Sequence, residues 1–262
     1  TDGALLTEVS QYVAQADVVL AIGTMFKQED TSAWKTQLGE TLIHIDIDPQ
    51  EQDRSYPSTV FLHADAKAAL GAILQRLPPR DPAASAWLEQ GKQAETARLD
   101  QRRSASPSEM QTLDIFRQAV PRDGLIVCDR CNLGYWLFRC GASYLPRTFQ
   151  YPMGYGGLGG ALPQAIGSKL AKPSRPVVCV IGDGGFQFTG TELATAVQEQ
   201  IPIAIVLCNN RGFGAIRAGQ VRGFGGRHIG VDLLNPDFQK LATAYGVAAT
   251  RCDTLEQFSA QL

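Results

Sequence analysis

Two short segments of the 262-residue sequence carry groups able to hold a cation and an anion together. The run VVCVIG (177–182) ends on Asp183 between glycines, and the run IAIVLCNN (203–210) ends on the paired amides Asn209 and Asn210. A carboxylate, an amide oxygen and a free backbone carbonyl are hard oxygen donors. Such a set suits an octahedral Mg²⁺ that completes its shell with phosphate and water. Gly182, Gly184 and Gly185 let the main chain approach closely, and their N–H groups can point at phosphate oxygens. The residues therefore fit a metal diphosphate better than a bare metal. Taken singly, each motif is also what ordinary turns are made of.

Their joint meaning depends on the elements between them. VVCVIG and IAIVLCNN read as strands and TELATAVQEQ (191–200) as the helix linking them, a right-handed βαβ crossover. Both strands then end on one edge of a parallel sheet, where ligands of open α/β folds collect. Upstream, Ser108-Glu-Met-Gln111 fits a capping box opening the helix MQTLDIFRQAV, and a turn at 121–124 leads into the strand LIVCD. In the first part, residues 5–13 have helical spacing. DVVLAIG (17–23), LIHIDIDP (42–49) and TVFLHAD (59–65) read as strands, and AKAALGAILQRL (66–77) reads as a helix. The stretch 78–107, with its proline pairs and polar helix formers, reads as a connection containing a helix. The expected fold is α/β, with two doubly wound, mainly parallel-sheet units at 1–77 and 108–262. The chain begins at Thr1 rather than Met and stops inside a helical pattern, so a piece of a longer protein is expected, clipped in both units.

Gly182-Asp183-Gly184, then 24 residues, then Asn209-Asn210 resembles the cofactor motif of thiamine diphosphate enzymes related to acetohydroxyacid synthase, pyruvate oxidase and benzoylformate decarboxylase. ADVVLAIGTMF and HIDIDP are similar to the later part of that family's central domain, and residues 108–262 to its diphosphate-binding domain. The resemblance implies that the side chains of Asp183 and Asn210 and the backbone oxygen of Gly212 hold Mg²⁺ on the cofactor. Gly182, Gly184, Gly185 and Phe213 are implied to bind the cofactor. In GYGGLGGALPQAIG (154–167), Gly156 would offer its carbonyl to the pyrimidine amine beside Gly157, and Leu158 would be the bulky residue beneath the bent cofactor. Residues 129–133 fall where relatives touch the diphosphate. There Asn132 and backbone N–H groups are implied contacts, while Cys131 and Leu133 depart from the glycine and histidine of the synthases.

The same resemblance implies 2-oxo acid chemistry in which the cofactor attacks the carbonyl, CO₂ leaves and the ring stores the electrons. It also implies an activating glutamate on an N-terminal domain contributed by a partner subunit, so no catalytic residue is assigned within this chain. Glu192 is given the role of complementing a helix dipole. The leading expectation is a non-oxidative 2-oxo acid decarboxylase, with GDGGFQFT and YPMGYGGLG similar to the 5-guanidino-2-oxopentanoate decarboxylase group. An acetohydroxyacid synthase-like carboligase and a non-catalytic thiamine diphosphate-binding module stand as alternatives. A homodimer or homotetramer is expected of the intact protein. FAD, bound by the central domain in some relatives, leaves no decisive fingerprint.

Composition narrows the remaining classes. A formal charge of -2 without a basic run disfavours nucleic acid and anionic membranes. No apolar stretch approaches membrane-spanning length, which gives a cytoplasmic expectation. Cys128 and Cys131 have CxxC spacing, but no second pair or nearby histidine completes a four-ligand set. No GxGxxG follows a first strand, which argues against NAD. His44, His63 and His228 are expected to be structural or solvent-facing, with RGFGGRHIG (222–230) a surface loop rather than a lid.

Overall fold

The computed structural model describes residues 7–28, 30–79 and 86–262. Residues 5 and 6 of the expected first helix and residues 80–85 of the expected connection lie outside them. The chain divides into two compact units, Thr1–Ser104 and Ala105–Leu262.

In the first unit, α1 (Thr7–Ala14) precedes β1 (Val18–Ile22), β2 (Thr41–Asp46) and β3 (Val60–His63), and α2 (Ala66–Leu74) and α3 (Ala86–Ala105) follow. The three strands pair in parallel in sequence order. Central β2 is the most deeply set, with Ile45 fully buried, as a strand covered on both faces requires. The Asp65 side chain caps α2 by accepting the Ala68 N–H, so the polar residue after β3 starts the helix. The Tyr12 ring stacks 3.9 Å from that of Trp87, tying α1 to α3.

The second unit runs α4 (Pro107–Ala119), β4 (Leu125–Cys128), α5 (Asn132–Cys140), β5 (Phe149–Gln150), α6 (Ala161–Ala171), β6 (Val177–Gly182), α7 (Asp183–Thr189), α8 (Leu193–Gln198), β7 (Ala204–Cys208), α9 (Gly214–Gly223), α10 (Phe238–Ala244) and α11 (Leu255–Gln261). Its four strands are all parallel, in the order β5-β4-β6-β7. The β-branched run of β6 is buried along both faces at the centre. One of its faces packs with Leu125, Val127, Leu162, Ala165 and Ile166 in the core. Full burial of each larger aliphatic side chain contributes about 1.5–3 kcal/mol, which makes this central strand the most stable platform for whatever stands at its end.

Two local expectations differ from what is observed. The box at Ser108 does not form: Ser106 is the N-cap, Pro107 takes the first helical position, and Ser108 lies inside α4. Proline is pre-set for that first position and lacks an N–H that would go unpaired, so it moves the start two residues earlier. The crossover from β6 to β7 is also not one helix. It starts at Asp183 as α7, passes through a 3-10 turn at Gly190–Glu192 and resumes as α8. A Cβ on Gly190 would stand 2.8 Å from the Phe186 ring, so the break sits where a side chain cannot. Among the described residues no helix is long and apolar enough to cross a membrane.

Candidate functional site

Gly182 at the tip of β6 is the ladder partner of Cys208 at the tip of β7, so Asp183 and Asn209 leave adjacent strands at one level. Asp183 is 2% exposed. Its Oδ2 accepts the Gly212 N–H at 3.1 Å and an Asn235 amide N–H at 2.7 Å. Among the described residues its Oδ1 accepts no hydrogen bond. The same Asn235 nitrogen donates to Asn209 Oδ1 at 2.8 Å, and Gln187 donates to Asn235 Oδ1 at 2.7 Å.

The two asparagines therefore differ. Asn209 is used in bracing, since its Oδ1 also accepts the Arg211 N–H at 3.2 Å. The exposed carboxamide of Asn210 makes no hydrogen bond among the described residues. Arg211 adopts a left-handed φ of 56°, and that turn carries the chain into Gly212. A Cβ at Gly212 would overlap the Arg217 guanidinium and the Val231 carbonyl, so glycine is required there. The Gly212 carbonyl accepts the Gly214 N–H at 3.0 Å and keeps one lone pair. Phe213 packs against this turn from the other side, its ring filling the space a Gly184 side chain would need.

The glycine-rich segment 154–160 is held by Asp129, which follows β4 and is 1% exposed. Asp129 Oδ2 accepts the Gly159 N–H at 2.6 Å, and the Gly159 carbonyl accepts the Thr189 hydroxyl at 2.7 Å. One buried carboxylate thus ties the loop to β4, while the hydroxyl ties it to α7. Burial pushes the Asp129 carboxyl above the ordinary aspartate range, against the two backbone N–H groups of Gly159 and Gly160 that hold it down. A Cβ at Gly185 would overlap Asp129 Oδ2, so this glycine of the first α7 turn serves the brace.

Gly156 has φ +67°, and a Cβ there would stand 2.8 Å from the Arg130 guanidinium. Gly157 faces open space, and Leu158 is 38% exposed. Asn132 opens α5 and is exposed. No hydrogen bond links Asn132, Gly157 or Leu158 to Asp183 among the described residues. They are placed instead by the Asp129 brace and by Cys131, whose Cβ lies 3.0 Å from where a Gly182 Cβ would stand.

Sequence reasoning overlooked Asn235 and Gln187. Asn235 sits before Pro236 in an irregular segment 52 residues from Asp183, where nothing in the local pattern marks it as a site residue. The tie between the Cys131 and Cys208 thiols is equally non-local. Their hydrogen bond holds Cys131 below the ordinary thiol range and pushes Cys208 well above it. Glu192 accepts a hydrogen bond from the Thr195 hydroxyl at 3.0 Å, a local helix-start contact. His44 Nε2 lies 3.1 Å from the Thr24 carbonyl and His63 Nε2 3.0 Å from that of Ile47, while His228 pairs with Asp232 at 3.3 Å. Among the described residues no group of three or more His, Cys, Asp or Glu could hold a metal ion. A carboxylate, an amide and a carbonyl are a different donor set, and the free Asp183 Oδ1, the free Asn210 carboxamide and the Gly212 carbonyl fit a hard divalent cation.

A parallel α/β unit that gathers such donors beyond adjacent strand ends belongs to the ligand-binding open-sheet proteins. Comparison with known proteins sharpens the class. The family described as "Thiamine pyrophosphate enzyme, C-terminal TPP binding domain" matches residues 129–262, and its "central domain" matches residues 3–73. The chain belongs to the thiamine pyrophosphate enzyme family. It is 39% identical to a probable 2-ketoarginine decarboxylase of Pseudomonas aeruginosa over 96% of this chain and 45% of that protein. It is 31% identical to the acetolactate synthase isozyme 2 large subunit of Escherichia coli over 95% of this chain and 45% of that protein. An acetolactate synthase of Bacillus subtilis is 31% identical over 94% of this chain and 44% of its own length. The chain thus spans less than half the length of these relatives.

Proposed function

We propose that this chain forms the magnesium and diphosphate portion of a non-oxidative 2-oxo acid decarboxylase. One observation carries the reading: beside an Asn209 whose Oδ1 already accepts two hydrogen bonds, Asp183 Oδ1 and the Asn210 carboxamide accept or donate none among the described residues, at neighbouring strand tips. Asp183, Asn210 and the Gly212 carbonyl would hold Mg²⁺, and backbone N–H groups at Gly184, Gly185 and Asn132 would face the diphosphate. Bound thiamine diphosphate supplies an electron sink for loss of CO₂ from a 2-oxo acid.

The chain's own residues bind and orient. Asn235 fixes the Asp183 carboxylate through Oδ2, which would leave Oδ1 to hold the cation. Asp129 anchors the loop that carries Gly156, Gly157 and Leu158. Those three residues, with Phe213, would form the contact surface for the cofactor's rings. The activating glutamate implied by the family resemblance is expected from a partner subunit's N-terminal domain, so no proton transfer is assigned to the residues of this chain. No step of this reading draws on FAD.

The higher identity to the 2-ketoarginine decarboxylase favours decarboxylation, and the acetolactate synthases support carboligation as a second reading. The intact protein is proposed to be a cytoplasmic homodimer or homotetramer. Product analysis separates the two reactions. With pyruvate and a longer-chain 2-oxo acid, a decarboxylase releases CO₂ and the aldehyde. Acetolactate as the main product from pyruvate would overturn the decarboxylase reading.

A further inference from the structure

The redox signal in the sequence is the CxxC of Cys128 and Cys131, yet Cys131 takes its thiol partner from another strand. Cys208 pairs with Gly182 across the parallel β6–β7 ladder. Residues level with one another in such a ladder project to the same face of the sheet. On that face the Cβ that Gly182 lacks would stand 3.0 Å from Cys131 Cβ. Cys131 and Cys208 therefore flank the position left open by one glycine. Cys179 is three residues from Gly182 on the same strand, so it faces away. Cys128 lies on β4, with β6 between it and β7. Cys131 and Cys208 are not in a disulfide, Cys131 being 8% exposed and Cys208 partly exposed.

We propose that Cys131 and Cys208 form a reversible thiol-modification site, closed to a disulfide by a low-molecular-weight disulfide such as oxidised glutathione, and that closure weakens magnesium-diphosphate binding. One thiolate of the pair attacks a reagent sulfur and releases one small thiol. The second thiolate attacks the protein sulfur of the mixed disulfide and releases the other small thiol. Two protons leave the protein, and its two electrons reduce the reagent's S–S bond. The bond draws the β4–α5 turn toward the tip of β7, two residues before Asn210. It also ends the capping contact in which Cys131 Sγ accepts the Gly134 N–H at 3.4 Å, at the helix start that carries Asn132. This second half of the proposal rests on the diphosphate reading above, whereas the bond itself does not.

The test incubates the full chain with oxidised glutathione at neutral pH, alkylates the remaining thiols and maps the peptides by mass. Cleavage after Arg130 separates Cys131 from Cys128, and cleavage after Glu192 or Glu199 separates Cys208 from Cys179. The expected product is a Cys131–Cys208 linked peptide that dithiothreitol removes. In calorimetry with inorganic diphosphate and Mg²⁺, the oxidised chain should bind about fivefold more weakly, the effect of a lost helix cap. Cys208→Ser, or Cys131→Ser if the first folds poorly, should form no link and keep its affinity after oxidation. A Cys128–Cys131 link, or modification of Cys140 and Cys252 without a Cys131–Cys208 link, overturns the site. A linked chain with unchanged affinity overturns the coupling. A reduced chain that does not bind magnesium diphosphate sinks the proposed function and leaves the mapped pair standing.

Discussion

Gly185→Ala tests whether the Asp129 brace holds the glycine-rich loop. The added methyl group would overlap Asp129 Oδ2 and stand 3.3 Å from the Gly159 nitrogen, against the hydrogen bond those two atoms make at 2.6 Å. Neither partner can swing aside, because one is a buried carboxylate and the other is backbone. Loss of a charge-assisted hydrogen bond costs about 1.5–3 kcal/mol, and alanine returns up to about 1 kcal/mol of helix propensity inside α7. The net loss is about 1–2 kcal/mol. For a domain of 150–250 residues each kcal/mol moves Tm by about 2–4 °C, so calorimetry should record a fall of about 2–8 °C. In an Asp129→Ala background the methyl group meets no carboxylate, so the same substitution should cost almost nothing there, a coupling of about 1 kcal/mol or more. An unchanged or raised Tm for Gly185→Ala, or an equal penalty in both backgrounds, refutes the reasoning.

Three further outcomes follow from the geometry. Asn235→Ala removes the donor shared by Asp183 and Asn209 and should weaken Mg²⁺ affinity by about 10–100-fold, read by calorimetry with diphosphate present; an unchanged affinity would deny Asn235 its positioning role. The raised Asp129 pKa means the folded state keeps its proton longer than the unfolded chain, so this group's contribution to stability falls as pH rises from about 4 through the raised value. Asp129→Asn should flatten that decline in urea titrations run across the same window, and an identical slope for both proteins would contradict it. Leu158→Ala, at a half-exposed position, should change Tm by little while weakening thiamine diphosphate binding, and loss of stability without loss of affinity would reassign Leu158 to packing.

The parallel strands were legible because a buried strand must be a continuous apolar run and a crossover must put successive strand ends on one edge. That rule reached Asp183 and Asn209-Asn210 from local pattern alone. Which amide oxygen already has partners was beyond composition, since Asn235 and Arg211 both donate to Asn209 Oδ1. Asn235 itself was invisible because an asparagine before proline reads as a turn residue, and its partners Asp183 and Asn209 lie just past the ends of β6 and β7. The capping box failed through the stronger preference of Pro107 for the first helical position. CxxC spacing drew attention to Cys128 and Cys131, whereas strand register sets Cys208 level with the glycine that Cys131 packs against. In each case the missing information was a contact between distant segments, which periodicity does not encode.

The most direct measurement is calorimetric titration of the chain with thiamine diphosphate, with and without Mg²⁺, beside Asp183→Ala and Asn210→Ala. The account predicts Mg²⁺-dependent binding that weakens by about tenfold or more in each variant while the fold persists. Equal affinity in native chain and variants, or binding indifferent to Mg²⁺, would contradict it.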